Sequence, residues 1–218
     1  MNTKYSLLQE VYANNREFKG AKEIIHAMNI IDRKYFVSDE RVYEDYPLPI
    51  GHGQTISQPT TVARMLLMLR LKKRMEVLEI GSGSAWNAAL IAFLIYPGKL
   101  VSVERIKEIS ELAVSNLFNF IKQTKFKRLQ IDFIFADAMN KKESFWKAKY
   151  DRIIVTAMVG DEFSEKIKEM GKKLLKEKGM LLFPLNKGLE LWGMKNKNLK
   201  MIERREGYVF VPLLKGKA

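Results

Sequence analysis

The chain has 218 residues, 47% of them hydrophobic, which fits a single globular domain. It contains no cysteine, so disulfides and thiolate metal sites are excluded, and two well-separated histidines, His26 and His52, do not suggest a zinc site. The balance of 38 Lys and Arg against 25 Asp and Glu gives a formal net charge of +13, which would suit an anionic partner such as nucleic acid. Because lysines alternate with glutamates, as in "EKIKEMGKKLLKEKG", solvated charged faces are the favoured interpretation.

The start of the chain lacks the charged and then apolar pattern of a signal peptide, and no apolar run approaches the ~20 residues that span a bilayer. We therefore expect a cytoplasmic protein with no membrane partner and no metal. Helical periodicity predicts two N-terminal helices, near residues 3–14 and 21–28. A loop at residues 47–59, "PLPIGHGQTISQP", follows them and is rich in Gly and Pro.

From residue 75 onward, short apolar runs alternate with amphipathic segments. The predicted strands are "EVLEI", "KLVSVE", "LQIDFIF", "YDRIIVT" and "GMLLFPL", and the predicted helices between them cover residues 87–95, 107–124 and 161–176. This alternation predicts an α/β fold of the Rossmann-like kind, with right-handed crossovers and a mostly parallel, twisted sheet that carries helices on both faces. The strands are nearly continuous in large apolar residues, as strands buried on both faces should be.

The C-terminal part of the chain has predicted strands with no helices between them. After Pro184 the segments "LELWGM", "LKMIER" and "GYVFVPLL" are separated only by short turns, which predicts antiparallel strands at the edge of the sheet. The expected organisation is one domain over residues 1–218. It comprises N-terminal helices and a loop (1–74), an α/β core that binds a cofactor (75–185) and C-terminal antiparallel strands (186–218).

The first strand and helix of the core enclose the turn "VLEIGSGSAWNAA". Gly81 and Gly83 let the backbone pass close to a ligand and expose amide donors at a helix N-terminus. A P-loop would need Gly-Lys-Ser/Thr, and a dinucleotide fingerprint needs a small residue where Trp86 stands. The pattern that remains is that of S-adenosylmethionine. Glu104, at the end of the next strand, is suited to a ribose diol, and Asp137, after the third strand, to an adenine amino group.

Each of these signals has a plainer interpretation when taken alone. A Gly-x-Gly turn is often only a tight turn, and an acidic residue that ends a strand is more often a helix cap or a surface charge. The three signals occur in register at the ends of successive predicted strands, which favours the cofactor site.

With these motifs in place, the chain resembles the protein-L-isoaspartate O-methyltransferases, which methylate isoaspartyl residues in damaged proteins. The resemblance is carried by "IDRKYFV", "YEDYPLPIGHGQTISQP", "VLEIGSGS", "VSVER", "YDRIIVTA" and "YVFVPL". It implies a methyltransferase fold, S-adenosyl-L-methionine as cofactor and isoaspartyl proteins and peptides as partners. It also implies that Ser57 is the active-site serine.

The predicted site residues fall into two groups that share Ser57. The cofactor site is expected to comprise Thr55, Ile56, Ser57, Gly81, Ser82, Gly83, Ser84, Glu104, Arg105, Asp137 and Ala138. The substrate site is expected to comprise Ile50, Gly51, Ser57, Val211 and Pro212.

The chain departs from the family pattern at three places. Ala85 and Trp86 stand where glycine and tyrosine are usual, and alanines at positions 136 and 138 flank Asp137 where glycines are usual. Residues 158–160 read Met-Val-Gly after "VTA", where alanine and proline are common. This last segment is expected to border the substrate.

An isoaspartyl carboxyl is already ionised at neutral pH, so methyl transfer to it needs orientation and not a strong base. Ser57 would then donate a hydrogen bond to the carboxylate. On spacing alone Ser57 reads as a turn residue that bonds its own backbone, and the family motif reverses this interpretation. His52 is expected at the mouth of the pocket, and His26 on a helix surface.

Two rival functions remain open on the sequence. A methyltransferase of RNA or DNA would fit the positive charge, although no Asn/Asp-Pro-Pro-aromatic motif is present to hold a base amine. A non-catalytic cofactor-binding homologue would fit the departures at Ala85, Ala138 and Met158.

Overall fold

A computed structural model describes residues 2–218. The helices are α1 (Lys4–Ala13), α2 (Ala21–Ile30), α3 (Pro59–Leu69), α4 (Trp86–Ile95), α5 (Lys107–Thr124) and α6 (Asp161–Leu174). The strands are β1 (Leu48–Gly51), β2 (Gln54–Ile56), β3 (Glu76–Ile80), β4 (Lys99–Glu104), β5 (Ile131–Phe135), β6 (Tyr150–Val155), β7 (Leu175–Leu185), β8 (Gly188–Lys195) and β9 (Asn198–Glu206).

Seven strands form a sheet in the order β5-β4-β3-β6-β7-β8-β9. The first five in this order pair in parallel, and β8 and β9 continue the sheet antiparallel to β7. The chain runs outward from β3 to β5 and returns to β6 on the other side of β3. The strand order therefore reverses at β3, and in such sheets ligands bind beside the carboxyl ends at the reversal. The predicted Rossmann-like fold with antiparallel C-terminal strands is confirmed.

The sheet is buried on both faces because neighbouring residues of its central strands point into different hydrophobic clusters. Val77 of β3 packs with residues of the first five helices, whereas Leu78 packs with Ile167 and Met170 of α6. Both β3 side chains are fully buried. This is the arrangement that the continuous apolar runs predicted.

The segment that reads "GYVFVPLL" is the main difference from the predicted fold, because it is not an edge strand. After Gly207 (φ 93°), the amides of Gly207 and Tyr208 donate to the Lys187 carbonyl, which turns the chain back toward the sheet. The segment then crosses the carboxyl ends of the strands, where its backbone pairs with Met158: the Met158 amide donates to the Val211 carbonyl at 2.7 Å, and the Leu213 amide to the Met158 carbonyl at 2.7 Å. The predicted antiparallel edge strand is therefore wrong for this segment, because its backbone bonds to Met158 and forms only an isolated parallel bridge at Pro212.

The loop at residues 47–59 also contains more structure than its composition suggested. Strands β1 and β2 form an antiparallel hairpin whose tip is His52 and Gly53, and the final Pro59 is the first residue of α3, a helix that was not predicted. Proline suits this position because it has no amide hydrogen to leave unsatisfied. In the part of the chain that the structure describes, no helix combines the length and apolar character needed to cross a bilayer.

Candidate active site

The glycine turn after β3 lies against the ends of both neighbouring strands. Gly81 has a φ of 97°, and its amide donates to the Val103 carbonyl of β4 at 2.8 Å. On the other side, a Cβ at Gly81 would collide with Oγ1 of Thr156, which donates to the Gly81 carbonyl at 2.7 Å. Only glycine therefore fits here, because both the left-handed backbone and the close approach exclude a side chain.

The structure gives the conformation or contacts of each alanine and of the tryptophan that depart from the family pattern. Ala85 adopts a φ of 70° at the start of α4, a conformation that glycine adopts with less strain. Trp86 is buried, and its Nε1 donates to the Ile31 carbonyl at 2.9 Å. Ala136 and Ala138 are absent from the residues with positive φ, so they do not strain the backbone on either side of Asp137.

Glu104 ends β4 beneath the glycine turn and is 7% exposed. Its Oε2 accepts from the Gly83 amide at 3.3 Å, while Oε1 accepts from the amides of Arg105 and Ile106 at 2.8 and 3.1 Å. Three backbone donors thus fix the carboxylate without any cationic side chain. Its lone pairs are not exhausted, so it can still accept from a ligand diol.

Asp137 follows β5, but the C-terminal tail, residues 214–218, contacts it. Its Oδ1 accepts from the Met139 amide and its Oδ2 from the Gly216 amide, each at 2.9 Å. The tail is fastened further where Arg105 Nε donates to the Gly216 carbonyl at 2.7 Å. The tail backbone also exchanges two hydrogen bonds with the segment after β4. The tail closes the side of the cleft where the sequence predicted the adenine.

Ser57 is the residue for which the plainer interpretation fails. Among residues 2–218 its hydroxyl has no hydrogen-bond partner, so it does not cap its own turn. Its backbone, by contrast, is held by the buried Arg33, which donates to the Ser57 carbonyl at 3.3 Å and to three carbonyls of residues 42–46. Burial lowers the pKa of Arg33 to about 10, a value at which it stays charged at neutral pH.

The C-terminal end of the same loop is fixed by Asp45. Its Oδ1 accepts from the Thr60 amide at 2.8 Å and its Oδ2 from Gln58 Nε2 at 2.9 Å. Asp45 thereby caps the N-terminus of α3, which it also stabilises through the helix dipole. Arg33 and Asp45 together position Ser57, although the sequence reasoning assigned a role to neither.

Three adjoining cavities meet beside Thr55 and Thr156, which line all of them. The first, of about 640 Å³ including its mouth, lies over the ends of β3 to β6 and is bordered by Glu104 and the segment at 211–214. The second lies between the loop and the glycine turn, and the third is an outer groove between the loop and residues 207–211. Ser57 lines both the second and the third. It therefore stands between the second cavity and the outer groove, whereas the first cavity, which we call the inner cleft, does not include it.

A buried polar network supports the glycine turn from below. Glu79 of β3 is fully buried, and it accepts from Ser102 Oγ at 2.5 Å and from Asn87 Nδ2 at 2.7 Å. Ser102 Oγ in turn lies 2.7 Å from Ser82 Oγ in the turn. Burial raises the pKa of Glu79 to about 7, partly offset by the hydrogen bonds from Ser102 and Asn87.

The structure brings most of the predicted residues together. Those that line the three cavities are Thr55, Ile56, Ser57, Gly81, Ser82, Gly83, Ser84, Glu104, Arg105, Ala138, Val211 and Pro212. Ile50 lies near Gly83 and Asp137 lies against Gly216 of the tail, but neither lines these cavities. Gly51 and His52 lie at the exposed hairpin tip and line none of them either. Residues 2–218 contain no group of three or more His, Cys, Asp and Glu side chains that could hold a metal ion.

Comparison with known proteins agrees with this geometry. The family model for protein-L-isoaspartate(D-aspartate) O-methyltransferase (PCMT) matches residues 2–218. The chain is 37% identical over 200 residues to the protein-L-isoaspartate O-methyltransferase of Methanothrix thermoacetophila, covering 89% of each chain. It is 37% identical over 180 residues to that of Thermosipho melanesiensis, covering 80% of this chain and 84% of the relative.

Among solved structures, a Plasmodium falciparum protein assigned as a protein-L-isoaspartate O-methyltransferase, in complex with S-adenosyl-L-homocysteine, superposes with a TM-score of 0.79. It is 24% identical and the match covers 99% of this chain and 100% of that one, which supports the shared fold. A family model that matches residues 2–218, and relatives above one third identity over most of the chain, lead to one conclusion. The chain belongs to the protein-L-isoaspartate(D-aspartate) O-methyltransferase family.

Proposed function

We propose that this chain transfers a methyl group from S-adenosyl-L-methionine to the free carboxylate of L-isoaspartyl residues in proteins and peptides, and that Ser57 orients that carboxylate. The observation that carries the proposal is the Ser57 hydroxyl, which has no hydrogen-bond partner within residues 2–218 and lies where the cavity between the loop and the glycine turn meets the outer groove. A fixed backbone with a free hydroxyl is what positioning a substrate oxygen requires.

The inner cleft has the properties of a nucleoside site. Its backbone passes close to the cavity at Gly81 and Gly83. The buried Glu104 carboxylate can accept two ribose hydroxyls, one at its free lone-pair site and one in place of the long 3.3 Å bond from the Gly83 amide. Asp137, which is already bonded to Gly216, can accept an adenine amino group with a remaining lone pair.

The outer groove is suited to an extended peptide. Its walls are the loop residues Ser57, Gln58 and Thr61 and the extended segment at residues 207–211, in which Val209 is 81% exposed. Exposed backbone of this kind recognises peptides of varied sequence, as a repair enzyme must. Val211 and Pro212 border the inner cleft, and Ile50 and Gly51 are assigned to the substrate from the family pattern alone.

The chemistry needs no general base among these residues. S-adenosyl-L-methionine supplies an electrophilic methyl group, and an isoaspartyl carboxyl with a pKa of about 4 is ionised at neutral pH. The titratable side chains that line the three cavities are Glu104, Arg105 and Tyr208, and neither histidine is among them. The task of the chain is therefore to hold one carboxylate oxygen with Ser57, leave the other free to attack, and exclude water.

The test uses methyl-labelled S-adenosylmethionine and two peptides that differ only in Asp against isoAsp at one position. Labelled methyl ester plus labelled methanol should form with the isoAsp peptide alone, because the ester cyclises and releases methanol. Label on both peptides would show that the enzyme does not distinguish isoAsp from Asp. Cofactor binding without label on either peptide would identify a non-catalytic homologue, and label on tRNA would identify a nucleic-acid methyltransferase.

A further inference from the structure

At the amino ends of the parallel strands, opposite the active site, the structure has a second concave surface. We name it the basic groove. It has a volume of about 900 Å³ and is lined by Lys22, Glu23, His26, Ile30, Leu71, Lys72, Lys73, Phe93, Leu94, Tyr96, Phe126 and Arg128. It shares no residue with the three cavities of the active site. We propose that the basic groove binds single-stranded nucleic acid, a property beyond the methyl transfer proposed above.

The rim of the groove carries positive charge that is not neutralised. Lys22, Lys72, Lys73 and Arg128 are exposed, and none forms an ion pair within residues 2–218. Glu23 is the one acidic residue in the lining. The chain neighbours Arg74, Lys125 and Lys127 add further exposed cations.

Acidic residues at the same edge of the sheet are occupied elsewhere. Glu76 pairs with Lys176 at 2.7 Å, and Asp132 pairs with Lys99 at 2.7 Å. The cations of the rim are thus left for an external anion. A second copy of the chain would bring the same positive rim against this one, so charge disfavours a symmetric dimer through this surface.

Four aromatic rings line the groove together with the aliphatic residues Ile30, Leu71 and Leu94. His26 and Phe93 have ring centroids 6.0 Å apart, and Phe93 and Phe126 are 5.7 Å apart. The Tyr96 side chain is 36% exposed beside them. Aromatic rings below a positively charged rim are the combination that binds single strands, because bases stack on the rings while cations follow the phosphates. An acidic peptide would use the rim but has no comparable use for the rings.

The test measures binding of a fluorescein-labelled 12-nucleotide oligouridine by anisotropy. If three phosphates are neutralised, affinity should fall on the order of 20-fold between 50 and 200 mM salt, since the slope for single strands is about −0.7 per phosphate. Lys72→Glu with Lys73→Glu should weaken binding at least tenfold. Tyr96→Leu should weaken it several-fold, because a base loses its stacking partner.

A matched control changes the same amount of charge elsewhere. Lys195→Glu with Lys197→Glu alters two exposed lysines at the β8–β9 turn and should leave oligouridine affinity within twofold. Labelled oligoglutamate of the same length should bind at least tenfold more weakly than oligouridine. Methylation of an isoAsp peptide should be unchanged in the Lys72/Lys73 double variant, which separates this proposal from the enzyme function.

The proposal is overturned by any of three results. The first is no binding of oligouridine at 50 mM salt. The second is an equal loss in the Lys195/Lys197 control, which would make the effect one of net charge alone. The third is equal or tighter binding of oligoglutamate, which would assign the groove to an acidic peptide.

Discussion

At the carboxyl ends of the parallel strands, the polar groups of the cleft are fixed by partners within the chain, whereas at the amino ends the cations of the basic groove are exposed. Glu104 is held by three backbone amides and Ser57 by the bonds of Arg33 to its loop, so the donors and acceptors of the cleft have defined positions. Lys72 and Lys73 at the opposite end form no ion pair within residues 2–218. The first arrangement suits catalysis, which depends on geometry, and the second suits a flexible polyanion, which depends on charge.

The largest effect is expected at Ser57, where one donor acts on the reacting carboxylate. Ser57→Ala should lower kcat/KM for an isoAsp peptide roughly 10- to 1000-fold and leave the Kd of the cofactor within about twofold. Initial rates and calorimetry measure the two quantities. Ser144→Ala, an exposed serine outside the three cavities, is the control and should match the wild type. Undiminished turnover in Ser57→Ala would remove Ser57 from the catalytic site.

The second largest effect is expected at Glu104, where a substitution tests whether the fixed carboxylate binds the ribose. Glu104→Ala should weaken S-adenosylmethionine binding by on the order of 2–3 kcal/mol, because two hydrogen bonds to a charged acceptor are lost. Glu108→Ala removes an exposed carboxylate in the first turn of α5 and should have no effect. Glu104 also accepts hydrogen bonds from three backbone amides, so the substitution removes bonds within the fold. Thermal unfolding of the variant must therefore be measured together with calorimetry. Unchanged affinity in a folded variant would remove Glu104 from the site.

Glu79, in the buried network below the glycine turn, links the folding stability of the chain to pH. Burial raises its pKa in the folded state to about 7, from an ordinary value of 4.5, so the folded chain binds more protons between these values and its stability falls as pH rises through this window. Glu79→Gln should reduce the loss of unfolding free energy between pH 5 and pH 8 by up to about 3 kcal/mol. Urea unfolding at the two pH values measures this. An equal loss in both proteins would contradict the assignment.

Deletion from the C-terminal tail should have a smaller effect, and that effect should be confined to binding of the cofactor. Deleting residues 216–218 removes the hydrogen bond that the Gly216 amide donates to Asp137 and the one that Arg105 donates to the Gly216 carbonyl. S-adenosylhomocysteine should therefore dissociate faster, and its Kd should rise about three- to tenfold. Stopped-flow displacement measures the release rate. Oligouridine binding should be unchanged. Tighter cofactor binding after the deletion would show that the tail competes with the ligand.

Sequence periodicity was sufficient for the core of the fold because the central strands are buried on both faces and read as continuous apolar runs. The predicted helix at residues 107–124 coincides with α5. The place of residues 207–214 could not be predicted in the same way, because an extended alternation does not specify its hydrogen-bond partner, here Met158. The roles of Arg33 and Asp45 were also missed, since they act on a loop 24 and 15 residues away along the chain.

The central claim is that the cleft orients a carboxylate that is already ionised, without a base, and the pH profile tests it most directly. At saturating cofactor, kcat/KM for an isoAsp peptide should be nearly flat between about pH 6 and 8.5, because the substrate carboxyl titrates near pH 4. The assay must count released methanol together with ester, since the ester cyclises faster as pH rises. An inflection between about pH 6 and 7 that disappears in His52→Gln would contradict the account and make that histidine catalytic.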